Sequence, residues 1–530
     1  MIDGYDFWDG AITGGMKQVC THGRSVQVFE DAPASFYASL NATSRRSPDA
    51  VALVTDRGRS VTFRGLKQRT DRFALELQSL LRPGDRVALL LDTSVEFAVA
   101  LYAASRCGIV IVPIPTKHKE PEIEALLAMS GVQMIIAERR FESMKCVNSV
   151  GIVRWVEEGK VSLGSGDTDV SRQLRDPVSD RDADCILMYT SGTTARSKGV
   201  LLTNRNVGHA IVAYQRILDL GSDDSSIIPI PIYHITGLVA LLGLFIHIGG
   251  RLYLHRRFDA DRVLATVRDE EITFIHASPT VFALLLGKSK QYPHLPSLRT
   301  FACGAAHMPV TRIQELHAWL PDVEFRTIYG LTETTSPGLI FPGDAATSVH
   351  CGSSGWPIPG LRLSIRDDAG EEVPSGERGE VWLYGTNVLR RYDAITTDAL
   401  TPEGWLNTGD IGYATDDGYV FIVDRSKDMV NRGGEKVWCI DVEEELRRVP
   451  GVADAAVVGV PHSIYGEEPA AVITEDGTNA LNEAGIIKVL SERLARYQIP
   501  QQIRVVDEIP MTPNLKVDKT AIRELFEPRE

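Results

Sequence analysis

A run of hydroxyl-bearing side chains around one glycine and one lysine is the clearest chemical signal in this sequence. It directly follows the apolar run at 184–188 and reads Tyr189-Thr190-Ser191-Gly192-Thr193-Thr194-Ala195-Arg196-Ser197-Lys198-Gly199. A glycine lets the backbone approach a ligand closely, and the hydroxyls and the lysine supply donors and one positive charge. The pattern therefore predicts a loop that binds a polyphosphate.

Two familiar phosphate-binding patterns do not account for this loop. A P-loop NTPase has the pattern G-x-x-x-x-G-K-[ST], whereas here Ser197 precedes Lys198 and Gly199 follows it. The dinucleotide-binding pattern G-x-G-x-x-G is not met either. A surface loop rich in serine and threonine that binds nothing is the simplest alternative for this stretch taken alone.

Short apolar strands alternate with helices along the chain, and they are the elements that must position the loop. Strands are expected at 86–91, 109–113, 184–188, 227–230, 274–277, 300–303 and 325–329. Several of them run into turns of small residues, such as Gly304-Ala305-Ala306 and Gly330. This alternation predicts a parallel sheet covered on both faces, with ligands bound where the strands end. The strand ends should converge on one crevice.

The chain changes character in its last third. Short strands with Gly and Pro turns between about 351 and 423 predict a small β-subdomain. A linker is expected at 424–428, and a compact unit that mixes helices with strands follows it. Residues 1 to about 30 give no pattern and are expected to be irregular.

Size, charge and cysteine content limit the possible partners. A chain of 530 residues should form at least two units. A net charge of −14 argues against nucleic acid and anionic membranes as partners. The seven cysteines are scattered without a C-x-x-C pair. The start of the sequence lacks the layout of a signal peptide. The longest apolar run, about 237–248, is too short to span a bilayer. We expect a cytoplasmic protein without a transmembrane segment.

Four further strings stand in order behind the loop. They read TIYGLTE at 327–333, GWLNTGD at 404–410, DRSKD and then RGGE within 424–435, and PNLKV at 513–517. With the loop at 189–199 they resemble the adenylate-forming superfamily, which includes acyl-CoA synthetases, firefly luciferase and peptide-synthetase adenylation domains. The resemblance covers roughly residues 35–525. One such string is weak evidence, whereas five in the same order are strong.

The resemblance implies an α/β fold with a large N-terminal domain and a small, mobile α+β C-terminal domain. The N-terminal adenylation core, residues 1–423, would contain two α/β subdomains and a small β-barrel-like subdomain. Residues 424–428 would form the hinge linker, with Lys427 at the hinge position. Residues 429–530 would form the mobile domain.

The resemblance also implies nucleotide-binding roles, and elementary chemistry agrees with them. The loop would grip the β- and γ-phosphates of ATP, and Tyr329 would offer an aromatic face to adenine. Asp410 would accept hydrogen bonds from two ribose hydroxyls at once. Glu333 would bind Mg²⁺, a hard cation that suits a carboxylate oxygen. The remaining positions implied to bind ATP or AMP are Gly304, Ala305, Ala306, Thr327, Gly330, Thr332 and Arg425, with Thr332 at the α-phosphate.

The same resemblance implies where catalysis takes place. Activating an acid with ATP requires charge to be neutralised where the carboxylate attacks phosphorus and where pyrophosphate leaves. Lys516 would swing into the crevice to bind the carboxylate and the α-phosphate. Gly433 and Gly434 would meet the pantetheine thiol after the small domain rotates. The implied cofactors and cosubstrates are ATP, Mg²⁺ and coenzyme A, or the pantetheine of a carrier protein.

The nature of the acid follows from an absence in the sequence. Amino-acid-activating relatives carry an aspartate in the string that aligns with 232–237, whereas no acid stands there in this chain. His234 resembles the family's residue at the mouth of the acyl pocket, although a structural histidine at a strand end is the simpler interpretation. The expected pocket residues Ile235, Leu238 and Ala302 are apolar. A buried, unpaired ammonium would cost several kcal/mol, so we expect a fatty or aryl carboxylic acid.

Three positions depart from the family pattern and keep several hypotheses open. Ala195 stands where glycine is usual, Ser197 where proline is usual, and Leu515 where a glycine usually gives backbone freedom beside the lysine.

The first hypothesis is an ATP-dependent, AMP-forming acid–CoA ligase. The second is a ligase that loads an acyl carrier protein. The third is an impaired relative that senses nucleotide or acyl-adenylate.

Overall fold

The computed structural model describes residues 1–157, 163, 174–190, 198–395, 397–477, 483–512 and 516–527. The strands in this part of the chain form five sheets. Two large, mainly parallel sheets with their helices, one five-stranded antiparallel sheet and one two-stranded sheet precede residue 426, and a fifth sheet with three helices follows it. This arrangement confirms the expected α/β fold.

The first large sheet has seven strands and carries the start of the predicted phosphate loop. Its strand order is Arg391–Asp393, Lys198–Thr203, Asp184–Thr190, Val110–Pro113, Arg86–Leu90, Met134–Glu138 and Ile152–Val156. The five strands from Asp184–Thr190 onward in this order are parallel to one another, and the two at the edge are antiparallel. Val87 and Leu89 pack into one hydrophobic cluster and Ala88 and Leu90 into another. Burial on both faces explains why these strands are continuous apolar runs.

The second large sheet has nine strands. Their order is Trp356–Pro357, Leu339–Ile340, Glu324–Tyr329, Thr300–Cys303, Phe274–Ala277, Ser225–Ile228, Arg251–Leu254, Val51–Thr55 and Ser60–Thr62. The six central strands are parallel. The carboxyl ends of neighbouring strands therefore lie side by side, as Cys303 and Thr327 do in the pairing of their strands.

Helices cover both large sheets, and side-chain caps fix where many of them begin. The helices of this part of the chain are Gly10–Thr13, Phe36–Arg46, Phe63–Leu80, Val95–Cys107, Glu120–Ser130, Lys145–Asn148, Asn204–Ile217, Leu244–Ile248, Ala260–Asp269, Pro279–Leu286 and Val310–Trp319. Thr203, for example, caps the helix Asn204–Ile217 by accepting from the Asn206 N–H, and the Asn206 side chain accepts from the Thr203 N–H in return. The segment Thr236–Gly243 is a π-helix that leads directly into Leu244–Ile248. None of the described helices is long and apolar enough to cross a bilayer.

A small antiparallel sheet stands where the β-subdomain was predicted. Its strands, in order, are Ile2–Asp3, Leu361–Arg366, Gly379–Gly385, Leu406–Ala414 and Val420–Arg425, and they form an open half-barrel. The chain leaves this sheet at Arg425 and enters the next sheet at Val430. The predicted linker at 424–428 overlaps this passage. Its function as a hinge stays a prediction.

The C-terminal unit is an α+β layer. Its sheet contains the strands Val430–Arg432, Glu435–Val437, Val452–His462, Gly466–Glu475 and Gln502–Val505. The helices Cys439–Arg447, Glu483–Ser491 and Lys519–Phe526 accompany it. Hydrophobic clusters on both faces of the hairpin Val452–His462 and Gly466–Glu475 give this unit its own core.

The expectation of an irregular start to the chain is wrong. Residues Met16–Thr21 and Arg24–Phe29 form a β-hairpin. His22 and Gly23 make its two-residue turn with φ of 48° and 77°, the backbone that suits a tight hairpin. This turn has histidine where Asn or Asp usually precedes glycine in such hairpins, so the usual turn signal is missing from the sequence.

Candidate active site

The predicted site residues lie where strands of both large sheets end. Thr190 closes the strand Asp184–Thr190 and pairs with Lys198 at the start of the next strand. Residues 304–306 follow the strand Thr300–Cys303, and Thr327 and Tyr329 end the strand Glu324–Tyr329. Ser191, Gly192, Thr193, Thr194, Ala195 and Ser197 lie outside the described residues, as does Leu515.

Two backbone features shape the turn after Thr300–Cys303. The Gly304 N–H donates to the Ala277 carbonyl at 3.1 Å, which continues the parallel ladder by one residue. A Cβ at Gly304 would lie 3.0 Å from the Ile328 carbonyl oxygen. Ala305 takes a left-handed backbone with φ of 73°. The chain thus turns sharply beside the neighbouring strand and leaves its backbone open at the sheet edge.

The turn after Tyr329 folds back on itself so tightly that it requires glycine. A Cβ at Gly330 would lie 1.5 Å from the Ser336 carbonyl oxygen. The Gly338 N–H donates to the Tyr329 carbonyl at 2.8 Å, and the Leu331 N–H donates to the Thr334 hydroxyl at 2.9 Å. This turn holds Thr332 and Glu333 on a short 3₁₀ helix, Thr332–Thr334, at the end of the strand.

Glu333 is a half-buried carboxylate that two groups from a distant segment hold in place. Its carbonyl accepts from the Leu389 N–H at 2.7 Å, and its Oε1 accepts from the Tyr392 hydroxyl at 3.3 Å. The Lys198 ammonium lies 5.7 Å from the centre of the Tyr392 ring. Burial raises the pKa of Glu333, although the hydrogen bond from Tyr392 and the charges of Arg425 and Lys198 act in the opposite direction. A cation at this carboxylate would take the place of the proton that burial favours.

Asp410 is buried between an aromatic hydroxyl and a guanidinium. It is 4% exposed, its Oδ2 accepts from the Tyr329 hydroxyl at 2.5 Å, and its Oδ1 accepts from Arg425 Nε at 2.9 Å. Asp410 and Arg425 are paired on the adjacent strands Leu406–Ala414 and Val420–Arg425. Burial, followed by the charge of Asp410, raises the pKa of Tyr329. The half-barrel is therefore joined to the nine-stranded sheet at this point.

Lys516 reaches the same place from the C-terminal unit. Its backbone is held in a narrow loop, because its carbonyl accepts from the Thr512 N–H at 2.7 Å and its N–H donates to the Thr512 hydroxyl at 3.2 Å. Lys516 is exposed to solvent, and the charges of Arg425, Asp410 and Glu333 act on its ammonium. Lost hydration lowers the pKa of Lys516, as does repulsion from Arg425, whereas the charges of Asp410 and Glu333 raise it.

Most of the predicted acyl-pocket residues follow the strand Ser225–Ile228 in the chain, and Ala302 lies on the strand Thr300–Cys303. His234 is half-buried, and its ring centre lies 5.0 Å from that of Tyr233. Ile235, Leu238 and Ala302 are buried in one hydrophobic cluster. The Ile232 N–H donates to the Thr93 hydroxyl at 3.3 Å, which ties this loop to the seven-stranded sheet. The segment 229–240 contains no Asp or Glu.

Lys427, Gly433 and Gly434 lie apart from these groups. Burial lowers the pKa of Lys427. The Gly433 N–H donates to the Tyr465 carbonyl and the Gly434 N–H to the Asn431 side chain, each at 2.9 Å. Both glycines have left-handed backbones, with φ of 63° and 95°. They form the turn between two strands of the C-terminal unit.

Sequence reasoning missed two residues that support Glu333. Tyr392, its hydroxyl donor, lies on the short edge strand Arg391–Asp393. Asn387 is fully buried and donates to the Thr334 carbonyl at 3.0 Å, while its own carbonyl accepts from the Thr335 hydroxyl at 2.8 Å. Neither residue belongs to a recognisable string. The role of Asn387 depends on burial and hydrogen bonds, which cannot be read from the stretch TNVLRR at 386–391.

Comparison with known proteins decides the family. The model for "AMP-binding enzyme" matches residues 40–393, and the model for the "AMP-binding enzyme C-terminal domain" matches 441–516. The chain belongs to the AMP-binding enzyme family. The predicted adenylate-forming superfamily and the predicted enzyme are thereby confirmed.

Individual AMP-binding enzymes match nearly the whole chain. A feruloyl-CoA synthase of Amycolatopsis sp is 33% identical over 91% of this chain and 97% of its own length. A long-chain-fatty-acid–CoA ligase of Mycobacterium tuberculosis is 31% identical over 88% of this chain and 93% of its own. The ATP-bound crystal structure of MatB from Rhodopseudomonas palustris superposes with a TM-score of 0.85 at 28% identity, covering 93% of this chain and 99% of that one.

Gly330→Ala should unfold the turn that carries Glu333. The added methyl would overlap a backbone carbonyl, and we expect a loss of about 3 kcal/mol of unfolding free energy, measured by urea denaturation. Gly221→Ala is the matched control, because a Cβ at Gly221 meets nothing within 4 Å. Equal stability of the two variants would contradict the geometry of this turn.

Glu333→Gln should stabilise the protein at neutral pH. Because burial raises the pKa of Glu333, the ionised form costs folding free energy once the pH exceeds the unfolded-state pKa of about 4.3. Glutamine removes this cost. The Tm of the variant should exceed that of the wild type at pH 7 to 8, and the difference should vanish at or below about pH 4. The exposed Glu435, changed to Gln, is the control, and a lower Tm for Glu333→Gln at pH 8 would refute the expectation.

Proposed function

We propose that this protein is an AMP-forming acid–CoA ligase. In the first step a carboxylate oxygen bonds to the α-phosphorus of ATP, the bond to the β-phosphate oxygen breaks, and pyrophosphate leaves. In the second step a thiol attacks the acyl-adenylate, a thioester forms, and AMP leaves. The observation that carries this proposal is the meeting of Lys516 with Arg425, Asp410 and Glu333, which come from three separate parts of the chain.

The nucleoside would lie against Tyr329 and Asp410. The Tyr329 ring offers a face for adenine, and the backbone at 304–306 runs along the same sheet edge. Asp410 is already oriented by Arg425 and by the Tyr329 hydroxyl, so its carboxylate can accept from the two ribose hydroxyls without rearranging. A site that is organised before binding loses less free energy in ordering its side chains.

The triphosphate would lie between the two large sheets. Thr190, Lys198 and the loop residues 191–194 would hold the β- and γ-phosphates. Thr332 would contact the α-phosphate. Glu333 fits Mg²⁺, because this ion is usually held by one or two carboxylates together with phosphate oxygens and water. The described residues contain no group of three or more potential metal ligands, as expected for a cation that arrives with its nucleotide. When bound, Mg²⁺ would neutralise phosphate charge.

Lys516 would act in the first step only. Its ammonium is repelled by the charge of Arg425, and this repulsion is relieved when the negative α-phosphate and the carboxylate enter between them. The two cations then neutralise charge that develops on the phosphoryl oxygens. Residues on the C-terminal unit can withdraw afterwards, so Lys427 would serve as the hinge and Gly433 and Gly434 would face the thiol in the second step.

The acid is a fatty or aryl carboxylic acid. The loop around His234 and the cluster of Ile235, Leu238 and Ala302 provide no charged partner for a substrate ammonium. The relatives described above are named for feruloyl and long-chain fatty acyl groups, which span the two expected classes. Coenzyme A is the proposed acceptor, because both of these relatives are CoA ligases or synthases. Seven free cysteines fit the cytoplasmic setting expected for such an enzyme.

Pyrophosphate exchange tests the acid class. Labelled pyrophosphate should enter ATP in the presence of Mg²⁺ with aryl or fatty acids and not with amino acids. Amino alcohols that carry the side chains of these amino acids serve as a control for binding without a carboxylate. Exchange that depends on amino acids would contradict the apolar pocket, and the absence of exchange with every acid would favour the sensor hypothesis. Coenzyme A and a purified carrier protein, compared as acceptors, would separate the two ligase hypotheses.

Lys516→Ala should separate the two half-reactions. We expect the rate of adenylation, measured by pyrophosphate exchange, to fall by about two to three powers of ten. Synthetic acyl-adenylate plus coenzyme A should still yield thioester at a near wild-type rate. Lys488→Ala changes an exposed lysine of the same unit and should leave both steps unaltered. An equal loss of both steps in Lys516→Ala would refute the assigned role.

A further inference from the structure

A buried carboxylate at the end of the half-barrel fastens the C-terminal unit. Asp424 lies on the strand Val420–Arg425 and is 3% exposed. Its Oδ1 accepts from the Arg425 N–H at 2.7 Å, and its Oδ2 accepts from the Cys439 N–H at 2.6 Å. Cys439 lies beyond the predicted linker. The second bond therefore crosses from the half-barrel to the C-terminal unit.

This bond completes a helix that cannot cap itself. Cys439 is the first residue of the helix Cys439–Arg447, and the preceding Trp438 provides no side-chain hydrogen bond to its first turn. The first N–H groups of a helix need acceptors, and negative charge is favoured there. Asp424 fulfils both requirements from the other side of the linker. The start of this helix is thus built from two parts of the protein that a rotation would separate.

Lys519 attaches a second helix to the same carboxylate. It is the first residue of the helix Lys519–Phe526, and its ammonium lies 4.0 Å from Asp424 Oδ1. The side chains of Lys519 and Asp424 are 21% and 2% exposed, so water weakens their attraction little. Only two residues separate Lys519 from Lys516. Between them Asp518 is fixed by its N–H, which donates to the Pro510 carbonyl at 2.8 Å.

We propose that Asp424 and Lys519 are positioning residues for the adenylation step, because together they hold the C-terminal unit in the orientation that places Lys516 in the crevice. This inference rests on the role proposed for Lys516. Asp424 precedes Lys427, whereas Cys439 and Lys519 follow it, so a rotation at Lys427 must break both contacts. The pair therefore favours the first half-reaction over the second.

Other ion pairs also cross the linker, such as Arg378 with Asp441 at 2.8 Å and His307 with Glu444 at 2.9 Å, whereas Lys519 is the partner that lies three residues from Lys516 in the chain. Lys436 and Asp368 form an ion pair of 3.5 Å between side chains that are 52% and 92% exposed. Such solvated pairs contribute little.

Burial raises the pKa of Asp424 to about 6, while Lys519 and the two backbone N–H groups lower it. Lys519 thus helps to keep the carboxylate in its ionised, cap-forming state.

Three variants of the full chain test the inference through the two half-reactions. Lys519→Met should lower the rate of pyrophosphate exchange by about a hundredfold, the loss expected when a catalytic group is displaced by about 1 Å, and thioester formation from synthetic acyl-adenylate should not fall. Lys519→Arg, which keeps the charge, should restore most of the exchange. Lys436→Met, which removes the solvated ion pair, should leave both rates unchanged.

Asp424→Asn keeps the inference testable if Lys519→Met folds poorly. An asparagine retains one acceptor for the Cys439 N–H but carries no charge, so it should lower exchange and spare thioester formation, with little change in Tm. Equal losses in both half-reactions for Lys519→Met and Asp424→Asn, or full exchange activity in both, would overturn the inference. If Lys516→Ala fails to lower exchange, the proposed function is wrong. If Lys516→Ala lowers it and Lys519→Met does not, the positioning inference alone is wrong.

Discussion

The Asp410 carboxylate, buried between the Tyr329 hydroxyl and the Arg425 guanidinium, is the interaction on which the rest of the site depends. It joins a strand end of the nine-stranded sheet to two strands of the half-barrel. A buried carboxylate that lost one of these partners would remain unpaired, which is far more costly than losing a solvated ion pair. Because Arg425 is also the last residue of its strand, the same contact fixes the point from which the chain passes into the C-terminal unit.

Three carboxylates in and beside the site are held in three different ways. Asp410 is paired with a guanidinium, Glu333 has a tyrosine hydroxyl and two more distant cations, and Asp424 accepts two backbone N–H groups near an ammonium. The carboxylate with the weakest direct partner is the one proposed to receive a cation. Burial raises the pKa of Glu333, and a cation bound at its carboxylate would offset that cost.

Local patterns predicted the parts of this fold that are determined locally. The continuous apolar runs gave the parallel strands, because both faces of those strands are buried, and the small-residue turns at 304 and 330 marked the strand ends that carry the site. The five strings predicted the family. What could not be predicted depends on partners that are distant in sequence, such as Tyr392 beside Glu333 or Asp424 at the start of the helix Cys439–Arg447. No sequence pattern indicates that the Asp424 carboxylate accepts from the first N–H of a helix that begins 15 residues later.

The π-helix Thr236–Gly243, which contains the proposed acyl-pocket residue Leu238, is wound differently from the α-helices of this fold. A π-helical turn holds one more residue than an α-helical one. Deleting a single residue there would restore ordinary α-helical winding and change which side chains of the segment lie on each face. A different set of side chains would then face the acid, while the strands that carry Tyr329 and Asp410 kept their register. Substrate range could diverge among descendants of this enzyme by insertion and deletion, without any change in how the nucleotide is held.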